Sequence, residues 1–251
     1  MDWVLLLTVT FLAATVQSAT GFGFGLIAVS VFLIVLNSVA AIQLVIIIIL
    51  VMSCVHWPKL RGIAPVHLLK WLSLGCVLGF PLGILIYNHL NIDSIKMVVA
   101  CLIILISAQN AWYLFGKAKT HSPSPSPSPA QSERSGTVIG VGVVCGLMAS
   151  SMAMPGPAAM LYLSRTALSK DEIRATILTF FLFSYGGALL LQMAFIGVAP
   201  QTWVTAAILT PSALVGMVVG HLISKKINQQ MFKGLVLVIL LLTGLFMLLN
   251  L

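Results

Sequence analysis

This chain has very little acid. Five of its 251 residues are Asp or Glu, and all five (Asp2, Asp93, Glu133, Asp171 and Glu172) lie at or beyond the ends of apolar segments. No segment sets His, Cys or carboxylates at metal-ligating or catalytic spacing, so an enzyme is the class with least support, and neither cofactor nor metal is expected. Cysteine is equally sparse: Cys54, Cys76, Cys101 and Cys145 lie wide apart in or beside apolar spans, which argues against disulfides and a zinc site. Charged residues make up 7% of the chain against 60% hydrophobic, with mean hydropathy +1.11, a balance no soluble domain carries. The apolar runs exceed the roughly 20 residues that cross a bilayer and show no strand alternation, which predicts an all-α polytopic membrane protein. The formal charge of +8 sits in loops without a long Lys/Arg run, so it reports orientation in the bilayer and no nucleic-acid partner.

Apolar segments fall at about 3–36, 39–56, 68–87, 95–115, 136–164, 173–197, 202–224 and 232–250. Residues 1–19 have Asp2 and no early Lys or Arg, and Gln17 would stand at the minus-three position of a cleavage site, so they read as mature structure and not as a signal peptide. "KAKTHSPSPSPSPAQSERSG", 117–136, alternates Ser and Pro, which excludes helix and packed core and predicts a solvated linker. The chain divides accordingly into a first membrane repeat at 1–116, a Ser/Pro-rich cytoplasmic linker at 117–135 and a second membrane repeat at 136–251. Gly79, Gly83, Asn91 and Lys96 recur 137 positions later as Gly216, Gly220, Asn228 and Lys233. The first and fifth segments correspond too: "SATGFGFG" interrupts one where "SSMAMPGP" interrupts the other.

Basic residues set the orientation. Lys59, Arg61 and Lys70 follow the second segment and Lys117, Lys119 and Arg134 the fourth, whereas Arg165, Lys170 and Arg174 follow the fifth and Lys225, Lys226 and Lys233 the seventh. With these loops cytoplasmic, the fifth segment enters and leaves on one face, and by the repeat so does the first. Each then reads as a re-entrant hairpin whose tip is the Gly/Pro insertion. The simpler alternative has eight ordinary spans with the first and fifth kinked. Hairpins also fit length, since about 34 residues of helix measure about 51 Å against a roughly 30 Å hydrocarbon core. The fold class expected is therefore two inverted four-element repeats, each opening with a broken or re-entrant helix pair.

At a hairpin tip the second arm begins inside the membrane, with unpaired N–H groups and the positive dipole end pointing inward. Gly21, Gly23 and Gly25 remove bulk, and Gln17, Ser18 and Thr20 add donors beside Phe22. In the second half Pro155 and Pro157 suit a helix start, while Gly156, Ser150 and Ser151 supply flexibility and hydroxyls. Two tips meeting near the midplane would make an anion site, and these twelve residues are its candidates. The competing reading, close packing through small residues, is preferred for Gly75-Gly79-Gly83 and Gly216-Gly220. His56, His67, His89 and His121 belong to loops or span ends. His221, Gln43, Asn110 and Gln192 rank below the tips.

Two halves of four segments, each opening with a Gly-rich break in a long apolar stretch and closing with a G-x-x-x-G helix and a short polar or basic loop, resemble the TauE/SafE family of sulfite and sulfonate exporters. The likeness covers nearly the whole chain outside the Ser-Pro linker. It implies a multi-pass protein of the bacterial inner membrane that exports small sulfur-containing anions such as sulfite, sulfoacetate or other organosulfonates. The Gly-rich break maps onto Gly21, Gly23 and Gly25, while the second half keeps only Gly156 among prolines. The residues themselves lead to an anion transporter and leave the anion open. A non-transporting membrane assembly protein is the alternative, which paired broken helices disfavour. The expected partners are a small anion and the lipid bilayer, with a homodimer left open. Lacking an intramembrane carboxylate, the chain is expected to let the membrane potential drive export, with half-helix ends and hydroxyls in place of a buried Arg or Lys.

Overall fold

The computed structural model describes residues 2–60, 62–89, 91–116, 135–164 and 166–224. Nine helices form among them: α1 (Trp3–Thr20), α2 (Phe24–Leu36), α3 (Ala40–Leu60), α4 (Val66–His89), α5 (Ile92–Gly116), α6 (Ser135–Met152), α7 (Gly156–Leu163), α8 (Lys170–Phe195) and α9 (Pro200–Ser224). Six of them, α1, α3, α4, α6, α8 and α9, are long and apolar enough to cross a bilayer. The chain is an all-helical polytopic membrane protein. Residues 117–134 of the expected linker, the eighth segment and Lys225, Lys226, Asn228 and Lys233 lie outside the described residues, and Ser135, the linker's expected last residue, opens α6.

Sequence chemistry explains the elements. In α1 the hydroxyls of Thr8, Thr10 and Thr15 fold back onto the carbonyls of Val4, Leu6 and Phe11 at 2.7, 2.6 and 2.8 Å, so polar groups are satisfied within an apolar helix. α3 lies at the centre, with Ala41 to Ile49 all buried, as a helix apolar on every face requires. By contrast, α4 and α9 leave Leu74, Leu78, Leu82, Val204, Val215 and Val218 exposed, an apolar surface suited to lipid. α8 starts with a capping box. The Ser169 hydroxyl accepts the Glu172 N–H, and Glu172 Oε2 accepts the Ser169 N–H at 2.8 Å.

Small residues seat the broken helices. A Cβ on Gly75, Gly79 or Gly83 of α4 would overlap the carbonyls of Ile139, Val143 or Leu147 on α6, so these glycines pack helix on helix. A Cβ on Gly216 or Gly220 of α9 would overlap the carbonyls of Phe11 or Thr15 on α1. In both pairs the contacts climb in the same order, so the partners run parallel. Ser150 shares its hydroxyl between the carbonyls of Phe80 (3.0 Å) and Gly146 (2.9 Å), and Ser18 donates to the carbonyl of Met217 at 2.7 Å. Phe80 and Met217 are 137 positions apart, the spacing at which the glycines recur.

Candidate functional site

The interruptions fall where the glycines and prolines stand. Gly21 ends α1 in the left-handed region (φ 92°), donating its N–H to Gln17 at 2.7 Å, and Gly23 precedes α2 with φ 114°. Both conformations are strained for any residue with a Cβ. Between them the Thr20 hydroxyl donates to the Phe22 carbonyl (2.6 Å) and accepts the Phe22 N–H (3.3 Å). In the second break the strained position is Ala153, at φ 55°, and Pro155 opens α7. The Tyr185 hydroxyl holds the Ala153 carbonyl at 2.9 Å.

The two breaks touch. A Cβ on Gly25 would overlap the Ala153 carbonyl, and one on Gly156 would come within 3.3 Å of Phe22 Cβ and 3.1 Å of Phe181 Cζ. The bare face of Gly25 thus receives the opposite break. Gln17, Ser18, Gly21, Gly23, Gly25, Ser150, Ser151, Pro155 and Gly156 are buried, and Thr20, Phe22 and Pro157 half-buried. Ser18, Ser150 and Ser151 spend their hydroxyl protons on carbonyls, Ser151 on Leu147 at 2.7 Å.

Donors gather unequally. The first intrahelical bond of α2 runs from Ile27 N–H to Gly23 at 3.1 Å, and no side chain caps the helix, so the N–H groups of Phe24, Gly25 and Leu26 precede the ladder. Beside this turn Gln17 is 1% exposed, and its Nε2 has no hydrogen-bond partner. At α7, by contrast, Pro155 and Pro157 have no N–H, which leaves Gly156 and Ala158 ahead of the Ala159-to-Pro155 bond. Donor capacity therefore concentrates at the first break.

The sequence assigns Arg174 to a basic loop, and the structure corrects this. It belongs to α8, with its stem against Gly21 and its Nη2 donating to the Ser18 carbonyl. A readable signal existed: Ser169-Lys-Asp-Glu172 is a capping-box pattern, which starts the helix before Arg174. Gln192, farther along α8, donates to the Ser150 carbonyl at 2.9 Å. One helix thus serves both breaks, from Arg174 at Ser18 through Phe181 and Tyr185 to Gln192 at Ser150. His221 is exposed in the last turn of α9, and the side chain of Asn110 is outside the described residues.

A second feature lies where α3 begins and α8 ends. A cavity of about 450 Å³ is lined by Ser38, Gln43, Tyr87 and Gly197 among others. Two of its donors are spent internally, Gln43 Nε2 on the Gly197 carbonyl at 2.9 Å and the Tyr87 hydroxyl on the Val39 carbonyl at 3.1 Å. Nearby the buried Lys96 bonds Asn37 Oδ1 at 2.7 Å, holding Asn37 at φ 43°. Gln43 and Gln192, ranked low from sequence, join helix to helix.

A bundle of membrane-length helices in which two interrupted helices meet, with N–H groups, an amide and a guanidinium at the junction, defines a multi-pass membrane protein of transporter type. A family model described as sulfite exporter TauE/SafE matches residues 6–247, and the chain belongs to that family. Its members are transporters and not enzymes. Neither the curated proteins nor the solved structures returned a match.

Proposed function

We propose that this membrane transporter exports small sulfur-containing anions, sulfite or organosulfonates such as sulfoacetate, across the bacterial inner membrane by alternating access. The observation that carries this reading is the junction itself: two helix breaks in contact, with the uncapped first turn of α2, Gln17 and Arg174 supplying donors. Among the described residues, no carboxylate lies deeper in a helix than its first turn. Such a setting favours an oxyanion and disfavours a cation.

Helix directions support an inverted arrangement. α1 runs parallel to α9, whose start adjoins the cavity that also takes in the start of α3, so α1 begins and α2 ends at that end of the bundle. α6 runs parallel to α4 and begins at the other end, where α7 returns to the start of α8. Lys59, Lys70 and Lys170 all belong to that second end, which orientation by basic loops makes cytoplasmic. Paired broken helices entering from opposite faces suit a fixed central site approached alternately from either side.

Export needs no coupled ion. An anion leaving a negative interior gains about 2.3 kcal/mol per charge for each 100 mV, roughly a fifty-fold concentration ratio. The deciding experiment is efflux from proteoliposomes loaded with sulfite, sulfoacetate or sulfate, with potential and pH gradients imposed separately. Sulfite or sulfonate efflux that follows a potassium-valinomycin potential is expected. Efflux that follows only a pH gradient would overturn the driving force, and no flux of any small anion would favour a membrane assembly protein.

A further inference from the structure

Arg174 is incompletely hydrogen-bonded for a half-buried cation. Its Nη2 meets one carbonyl, that of Ser18; its Nε is buried without a hydrogen-bond partner; and no ion pair joins it to a carboxylate within 4.0 Å among the described residues. Asp171, one turn earlier on α8, attracts it through space without forming an ion pair, and Glu172 is engaged by Ser169 in the capping box. A half-buried guanidinium with open donors is costly unless an anion completes it. The stem lies over Gly21, so the charge sits at the break where α2 leaves three N–H groups ahead of its ladder. Gln17 Nε2, buried and unpaired, belongs to the same turn of chain.

On these grounds we propose that Arg174 is the counter-charge that receives the substrate at the first break, exchanging the Ser18 carbonyl for two oxygens of the anion. This deepens the transport reading and rests on it. The planar fork of Arg pairs with two oxygens of one group, which a spherical ion cannot offer. The residue therefore sets a class: sulfite, sulfonates and similar oxyanions over halides. It also explains why the second break, with prolines at its helix start, needs no cation of its own, since one charge serves a junction where the breaks touch.

Two measurements test this. In proteoliposomes, R174Q is expected to raise the KM for sulfite about tenfold or more, as loss of a charge-assisted pair requires, with Vmax little changed. R174K keeps the charge without the fork and should compete poorly for sulfite while becoming more sensitive to bromide inhibition. A residue that merely caps α1 would lower thermal stability but leave KM and the sulfite-to-bromide preference as in wild type, which would overturn the assignment. The second measurement needs no variant at Arg174. The chain has four arginines, and R61K/R134K/R165K leaves Arg174 alone to react with phenylglyoxal. Sulfite, but not bromide, should slow its modification severalfold. Equal modification with and without sulfite overturns the role of Arg174 even where wild-type efflux is normal, whereas protection without efflux keeps the binding role and removes transport.

Discussion

Gly25→Ala separates two opposed effects at one position. Gly25 lies in the first turn of α2 without a left-handed backbone, so alanine suits it locally and should add about 0.5–1 kcal/mol of helix stability. The new methyl, however, would overlap the Ala153 carbonyl, which the Tyr185 hydroxyl already holds. Overpacking costs about 1–3 kcal/mol, and so close an overlap with a backbone carbonyl belongs at the upper end, so the net loss should be about 2–2.5 kcal/mol. At about 2–4 °C per kcal/mol for a chain of this size, melting falls by about 4–10 °C. The comparison is Gly140→Ala on α6, where a Cβ meets nothing within 4 Å and the helix gain should appear alone as a small rise. Thermal melts in detergent read the two shifts, and efflux should drop for Gly25→Ala because the breaks are pushed apart. If Gly25→Ala melts and transports like Gly140→Ala, the two breaks are not in contact and the proposed junction fails.

The arrangement of faces predicts accessibility. Single cysteines at Asp2 and Ser38 should react with a periplasmic, impermeant maleimide, and one at Ala167 should not; labelling at position 38 but not at position 2 would refute the hairpin reading of the first segment. The second break should respond to substitutions of opposite sign. Ala153→Gly relieves a left-handed alanine and should stabilise by about 0.5 kcal/mol, while Tyr185→Phe leaves a buried carbonyl unpaired and should cost about 1–3 kcal/mol, both by thermal denaturation.

Much of this architecture was legible because breaks in a membrane helix need Gly or Pro. The interruptions at 21–23 and 153–155 fall within the two stretches quoted from the sequence. Gly79 and Gly83 were readable as packing residues because four-residue spacing puts both on one helix face. Composition could not say what each glycine faces. Gly25, expected to admit a ligand to backbone N–H groups, meets the Ala153 carbonyl instead. Ala153 escaped notice because nothing in its identity announces a left-handed backbone, which a tyrosine 32 positions away supports. Arg174 was misplaced because charge was taken to mark a loop, although the acidic first turn of α8 already marked a helix start.

The pairing of α1 with α9 has a consequence in time. Thr15 shares its hydroxyl proton between the carbonyls of Phe11 and Gly216, and Ser18 donates to that of Met217; Gly216 and Met217 come 201 and 199 positions later in the chain. At about 5–20 residues per second of synthesis, α1 would wait some 10–40 s in the bilayer before its groove-filling neighbour emerges. During that interval the surface shaped for Gly216 and Gly220 must face lipid or borrow another companion. A nascent chain stalled before α9 therefore presents an orphan helix with exposed serine and threonine, the kind of surface that membrane quality-control proteases and insertion chaperones are placed to detect.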